Sequence, residues 1–137
     1  MDKAKKKGKK IELGAKSTPS LEASFQIALY VSSFGFDWSG ARDALSKVKE
    51  EVRELEKALE AGEEKEISQE IGDIFFALAN VSRLMGVNPE KALRKTNEKF
   101  MKRFSFIEKK LKEQGKKLGQ ASLEEMDKFW EESKKEN

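Results

Sequence analysis

The sequence contains no cysteine and no histidine, and these two absences exclude several kinds of site. Without cysteine the chain cannot form a disulfide framework or a thiolate metal centre. Without histidine it lacks the usual general base and the commonest ligand of transition metals. Any catalytic or metal site must therefore be built from carboxylates and cationic side chains, which favours a hard cation such as Mg²⁺ or Mn²⁺.

Proline and long apolar runs are also scarce. There are only two prolines in 137 residues, and Ala, Leu, Glu and Lys are abundant, which predicts an all-α protein. No apolar run has membrane-spanning length, and the N-terminus lacks the apolar stretch of a signal peptide, so we expect a cytoplasmic protein that does not enter membranes. Apolar residues make up 37% and charged residues 39%, so the core must be thin. Such a chain favours amphipathic helices and an apolar surface shared with a second copy.

Positive charge is concentrated at the N-terminus, although the net charge of the chain is only +3. Residues 1–17 are polar and rich in lysine, and they cannot bury enough apolar surface to order themselves. We expect a disordered basic tail over residues 1–17 and a helical domain over residues 18–137. A second hypothesis is a non-catalytic helical protein that binds nucleic acid through this tail, or a partner through its helices.

Helical periodicity and capping signals predict about four main helices in a bundle, with a C-terminal helix docked outside. We expect these helices to begin near Thr18-Pro19, Gly40, Glu64, Pro89 and Ser122. Asp37 or Ser39 is a candidate N-cap for the second helix. The third helix is apolar nearly all round between Ile71 and Val81, which predicts that it is buried on every side.

Two pairs of carboxylates stand at i,i+3 spacing, Glu51 with Glu54 and Glu70 with Asp73. Each pair falls on one face of its helix, and two antiparallel helices joined near Gly62 would bring the pairs together. A helical wheel places Glu51 in the flank of the buried stripe and its neighbour Glu50 toward solvent.

Four carboxylates in a small volume repel one another, by roughly 4 kcal/mol for each pair at 4 Å and an effective dielectric constant of 20. A divalent cation would compensate this repulsion, and the coordination of a protein-bound Mg²⁺ is normally completed by substrate phosphates. Lys99 and Arg103, at i,i+4 on the fourth helix, offer the point charge and forked donor that phosphate oxygens accept. The pattern therefore predicts a Mg²⁺ site, with Mn²⁺ as the alternative ion, for a phosphorylated ligand.

These residues resemble a known family. Glu50-Glu51-x-x-Glu54, a spacer of 15 residues and Glu70-x-x-Asp73 resemble the EExxE…ExxD signature of MazG-type nucleoside triphosphate pyrophosphohydrolases, in the all-α NTP pyrophosphatase superfamily. The resemblance covers roughly residues 19 to 133. It extends to the segments Gly35-Phe36-Asp37-Trp38, Asn97-x-Lys99-Phe100-x-x-Arg103-Phe104, Glu113-Gln114-Gly115-Lys116 and Ser122-Leu123-Glu124-Glu125-Met126-Asp127 before Trp130.

The resemblance implies Mg²⁺-dependent cleavage of nucleoside triphosphates between the α- and β-phosphates, giving nucleoside monophosphate and pyrophosphate. It implies a MazG-like helical fold, a broad role in clearing abnormal nucleotides, and a homodimer or higher assembly without nucleic acid as a partner. The chemistry of the residues agrees with this activity, because a bound divalent cation lowers the pKa of a coordinated water, and one carboxylate can orient or deprotonate that water without any histidine. The implied metal ligands and catalytic residues are Glu51, Glu54, Glu70 and Asp73, and the implied substrate-binding residues are Lys47, Asn97, Lys99, Arg103 and Trp130.

The sequence departs from the family in two respects. Full-length bacterial members often carry two tandem domains, and this chain has the length of one. The helix before Phe36-Asp37-Trp38 is usually basic in the family, but no Lys or Arg lies between Ser17 and Trp38. The resemblance therefore leaves the base preference of this chain open.

Overall fold

The computed structural model describes residues 18–136, and the predicted basic tail at residues 1–17 lies outside them. The described part of the chain contains helices and no strand, so the all-α prediction is confirmed. A short 3₁₀ turn, Leu118–Gln120, precedes the last helix. The α-helices are α1 (Ser20–Ser32), α2 (Ala41–Ala61), α3 (Glu64–Leu84), α4 (Pro89–Glu113) and α5 (Leu123–Lys134). None of them is both long enough and apolar enough to cross a membrane.

The chain divides into two compact units, of which the first ends at Ala92. In this first unit α2 packs along α3, and α1 packs on α3 as well. The α2–α3 turn forms because Gly62 adopts a left-handed conformation (φ 69°) that ends α2 and reverses the chain. The buried apolar positions of this unit are small, which lets the helix backbones approach closely: Ala28, Ala44, Val48, Ala58, Ala77 and Ala79.

Two expectations for the first unit are wrong. Neither Asp37 nor Ser39 caps α2, because Gly40 holds the N-cap position and Asp37 is engaged by Arg83 instead. The third helix is not buried on every side in the single chain, since Ile71, Phe75 and Leu78 are exposed. Within residues 18–92, α1 and α2 pack on only part of the circumference of α3, and Ile71, Phe75 and Leu78 lie outside the packed part.

The second unit begins at Leu93 and contains the rest of α4, the 3₁₀ turn and α5. Its core consists of Ile107 and Leu111 from α4 and Phe129 from α5. The predicted capping box is present: the Ser122 hydroxyl accepts a hydrogen bond from the Glu125 N–H at 3.1 Å. This cap fixes the start of α5, which places Trp130 at the edge of the same core.

Candidate functional site

Three of the four predicted carboxylates meet on the first unit. Glu51 projects from α2, and Glu70 and Asp73 project from one face of α3. One oxygen from each of the three lies within 4.8 Å of the other two. Glu51 is only 9% exposed, which agrees with its predicted place in the buried flank of α2, whereas Glu50 is exposed as predicted.

The charges in this cluster are only partly balanced by protein groups. The Lys47 Nζ lies 3.0 Å from Glu51 Oε1 and 3.5 Å from Glu50 Oε2. This ammonium lowers the pKa of Glu51, and a hydrogen bond with Glu70 lowers it further. The same hydrogen bond raises the pKa of Glu70, as do burial and the negative charges of Glu51, Asp73 and Glu54. The Glu51–Glu70 contact therefore shifts the pKa values of the two acids in opposite directions, down for Glu51 and up for Glu70.

The cluster fits a divalent cation. Its donors are all carboxylate oxygens, which are the ligands of hard ions. Glu70 Oε2 is buried and has no hydrogen-bond partner within the described range, so one acceptor is already withdrawn from water. A cation among these oxygens would satisfy that acceptor and offset the repulsion between the three acids.

Glu54, the fourth predicted ligand, stands apart from this group. Its Oε1 lies 3.3 Å from Lys57 Nζ on the exposed side of α2, and its side chain is 45% exposed. It is nevertheless close enough to contribute to the raised pKa of Glu70. Glu54 would have to leave Lys57 to join a metal bound by the other three.

A cavity of about 700 Å³ opens beside the carboxylates, and Lys47, Glu51 and Asp73 form part of its wall. A volume of this size is typical of sites for small organic ligands. Away from the acids the lining becomes mostly apolar and aromatic. These further lining residues are Ile27, Ala28, Val31, Phe36, Trp38, Phe76 and Ala77, together with the polar Asp37 and Asn80.

Two polar residues of the cavity lining, Asp37 and Asn80, are joined by a bridge that the sequence analysis missed. Arg83, on the last turn of α3, donates to Asp37 in the α1–α2 connection and to Asn80 on its own helix. Arg83 lowers the pKa of Asp37, so this carboxylate stays ionised at neutral pH. A sequence signal existed, because Arg83 is the only cation between Lys65 and Lys91. A lone charge on so apolar a helix predicts a buried partner.

The remaining predicted site residues lie on the second unit. The Arg103 guanidinium stacks over the Trp130 ring at 5.5 Å, and Trp130 in turn packs against Phe100 with 5.1 Å between ring centroids. The Nε of Arg103 is buried and has no acceptor in the part of the chain that the structure describes. Asn97 and Lys99 are exposed on α4. Arg103 is therefore a pre-oriented cation that retains unused donor capacity.

Comparisons with known proteins agree with the earlier resemblance. Residues 41–105 match the MazG nucleotide pyrophosphohydrolase domain, a span that includes all four predicted carboxylates. The chain is 35% identical over 133 residues to the nucleoside triphosphate pyrophosphohydrolase/pyrophosphatase MazG of Thermotoga maritima, covering 97% of this chain and 51% of that protein.

A second relative is the nucleoside triphosphate pyrophosphohydrolase of Escherichia coli K12. It is 32% identical over 123 residues, covering 88% of this chain and 47% of the relative. The uncharacterized protein YabN of Bacillus subtilis is 52% identical over 75 residues, which is 55% of this chain and 15% of YabN. The chain thus spans about half the length of the first two relatives.

Proposed function

The chain carries a MazG nucleotide pyrophosphohydrolase domain, and from this premise we propose that it hydrolyses nucleoside triphosphates between the α- and β-phosphates. The products are a nucleoside monophosphate and pyrophosphate. One observation carries the proposal: carboxylate oxygens of Glu51, Glu70 and Asp73 converge within 4.8 Å, and two of these acids, Glu51 and Asp73, line a cavity of about 700 Å³. In this proposal the acids bind a cation that contacts the phosphates, and the apolar part of the cavity accommodates the nucleobase.

Mg²⁺ is the proposed cofactor, held by Glu51, Glu70 and Asp73, with Glu54 as a further ligand once it is released from Lys57. When bound, the cation supplies electrostatic activation of the phosphate and of the attacking water. Lys47 keeps Glu51 ionised and lies at the cavity wall, where its ammonium can also meet a phosphate oxygen. Because the chain has no histidine, the proton of the attacking water must pass to a carboxylate or to solvent.

Arg103 and Lys99 are the proposed phosphate-binding cations, and Asn97 is a further polar contact. Trp130 holds the Arg103 guanidinium by stacking, so that little side-chain freedom is lost when the forked donor engages a phosphate. In this role the two cations stabilise the negative charge that develops on the leaving pyrophosphate. We place the enzyme in the cytoplasm, where nucleoside triphosphates are available, in a broad house-cleaning role.

Binding of Mg²⁺ should raise the melting temperature in the absence of nucleotide. A ligand at a hundredfold excess over its Kd stabilises the native state by about 2.7 kcal/mol, which corresponds to roughly 5–10 °C for a chain of this size. Differential scanning fluorimetry with increasing MgCl₂, against NaCl at matched ionic strength, measures this shift. Equal responses to MgCl₂ and NaCl would show that the acids do not form a metal site.

A homodimer is the proposed assembly, formed through the exposed apolar face of the first unit. On α2, Leu45, Val52 and Leu59 repeat every seven residues, and all three are at least 40% exposed. On α3 a second exposed stripe runs through Ile71, Phe75 and Leu78. The two stripes lie on helices that pack together, and a second helix pair covering both stripes would complete a four-helix bundle.

Phe75→Glu should therefore convert the dimer into a monomer, because a carboxylate would replace an aromatic ring that is 53% exposed in the single chain. Sedimentation velocity distinguishes the two states, since the single chain has a mass of 15.6 kDa. Met101→Glu is the matched control: Met101 is similarly exposed, at 57%, but lies on α4 outside both stripes. A wild-type protein that sediments as a monomer at micromolar concentration would refute this assembly.

A further inference from the structure

The Arg83 bridge fixes the orientation of the Asn80 amide. Arg83 Nε lies 2.9 Å from Asn80 Oδ1. Arginine can only donate hydrogen bonds, so the atom that faces it must be the amide oxygen and not the amide nitrogen. The Nδ2 of Asn80, which carries two N–H donors, has no acceptor among the described residues. Asn80 lines the cavity and therefore offers it a hydrogen-bond donor whose identity is fixed.

Asp37 offers the complementary group at the same end of the cavity. Its Oδ1 accepts both from the Trp38 N–H, at 2.7 Å, and from the Arg83 guanidinium. Its Oδ2 accepts from none of the residues in the range 18–136. Because Arg83 holds Asn80 and Asp37 together, a donor and an acceptor stand side by side in a cavity that is otherwise mostly apolar.

The position of Asn80 along α3 relates this pair to the metal cluster. Asp73, Ala77 and Asn80 all line the cavity and form one stripe of the helix. Seven residues separate Asp73 from Asn80, which is about 10 Å along the helix axis. This is comparable to the distance from the 5′-phosphate of an extended nucleotide to the far edge of its base. A nucleotide with phosphates at the acids would thus place its exocyclic 6- or 4-substituent near Asn80.

We propose that Asn80 is a specificity-determining residue that donates from Nδ2 to the O6 of a purine or the O4 of a pyrimidine. Asp37 Oδ2 accepts from the adjacent ring N–H, and Arg83 is a positioning residue that orients both. The site therefore favours triphosphates of oxo bases, with guanine, hypoxanthine, uracil or thymine, over those of amino bases. This inference rests on the proposed function, and it adds a preference within a broad substrate range.

The test compares substrates that differ only at the base edge concerned. ITP carries an oxo group at position 6 where ATP carries an amino group, and UTP carries an oxo group at position 4 where CTP carries an amino group. Each pair therefore presents opposite donor and acceptor patterns at this edge of the base. The wild-type protein should give ITP/ATP and UTP/CTP ratios of kcat/KM of about ten or more. Asn80→Asp keeps the shape and the Arg83 partner but replaces the donor by an acceptor, and should lower both ratios at least about tenfold.

Further variants separate recognition from folding. Asn80→Ala removes the donor without adding charge and should lower both kcat/KM ratios by a smaller factor. Arg83→Lys should also lower both ratios, because it releases the Asn80 side-chain amide from its fixed orientation. Ser82→Ala is the control on the same helix, because the Ser82 hydroxyl is exposed and, among residues 18–136, donates only to the Leu78 carbonyl. The ratios of this variant should match those of the wild type. Unchanged ratios in active Asn80→Asp and Asn80→Ala proteins would overturn this inference alone. A wild-type protein that hydrolyses none of the four nucleotides would overturn the proposed function, and this inference with it.

Discussion

Glu70→Gln should lower kcat/KM for nucleoside triphosphates by at least about a hundredfold while making the metal-free protein more stable. Activity falls because glutamine removes one of the three anionic oxygens that converge within 4.8 Å. Stability rises because the substitution removes a charge that Glu51, Asp73 and Glu54 all oppose, as the raised pKa of Glu70 indicates. Steady-state kinetics and melting curves in EDTA measure the two effects, whose opposite signs distinguish a functional acid from a structural one.

Glu50→Gln is the matched control for this variant. Glu50 has the same side chain and lies next to Glu51, but it is exposed and outside the cluster. It should retain both wild-type activity and the wild-type response of the melting temperature to Mg²⁺, whereas Glu70→Gln should lose that response. Equal losses of activity in the two variants would mean that the functional face of α2 has been misassigned.

Arg103→Lys should lower kcat/KM by about a hundredfold, although it preserves the positive charge. Lysine cannot supply the forked pair of donors that phosphate oxygens accept, and it loses the planar stack on Trp130 that holds Arg103 in place. The loss should appear mainly in kcat, since the proposed role of Arg103 is to stabilise charge on the leaving pyrophosphate. Single-turnover kinetics with a saturating nucleotide would measure the chemical step directly.

Arg94→Lys controls for the loss of an arginine from α4. Arg94 is exposed and lies nine residues from Arg103, about two and a half turns away, which places it on the opposite face of the helix. Its substitution should leave both kcat and KM unchanged. A normal kcat in Arg103→Lys would remove Arg103 from the phosphate-binding set, because a point charge would then suffice.

The parts of the site that could be predicted from the sequence are those set by local helix geometry. Spacing at i,i+3 placed Glu70 and Asp73 on one face, and the wheel correctly separated Glu51 from Glu50. The helix boundaries followed from local signals too, since Gly62 and Ser122 act through their own backbone and side chains. Such features depend on neighbours within one turn, which a single sequence displays directly.

What the sequence could not provide depends on contacts between distant residues. Asp37 is a reasonable N-cap by its position, yet it pairs with Arg83, 46 residues later in the chain. The apolar circumference of α3 indicates that its faces need to be covered, but it does not indicate whether the same chain or a second copy covers them. Glu54 matches the carboxylate motif, but its pairing with Lys57 is a rotamer choice that spacing does not determine.

Product analysis tests the central claim most directly. The full chain would be incubated with ITP, ATP, UTP or CTP in Mg²⁺ and in EDTA, and the nucleotides and phosphates separated by ion-exchange chromatography. We expect equal amounts of nucleoside monophosphate and pyrophosphate, formed in Mg²⁺ and absent in EDTA. Nucleoside diphosphate and inorganic phosphate as the products, or turnover that persists in EDTA, would contradict α–β cleavage at a metal held by Glu51, Glu70 and Asp73.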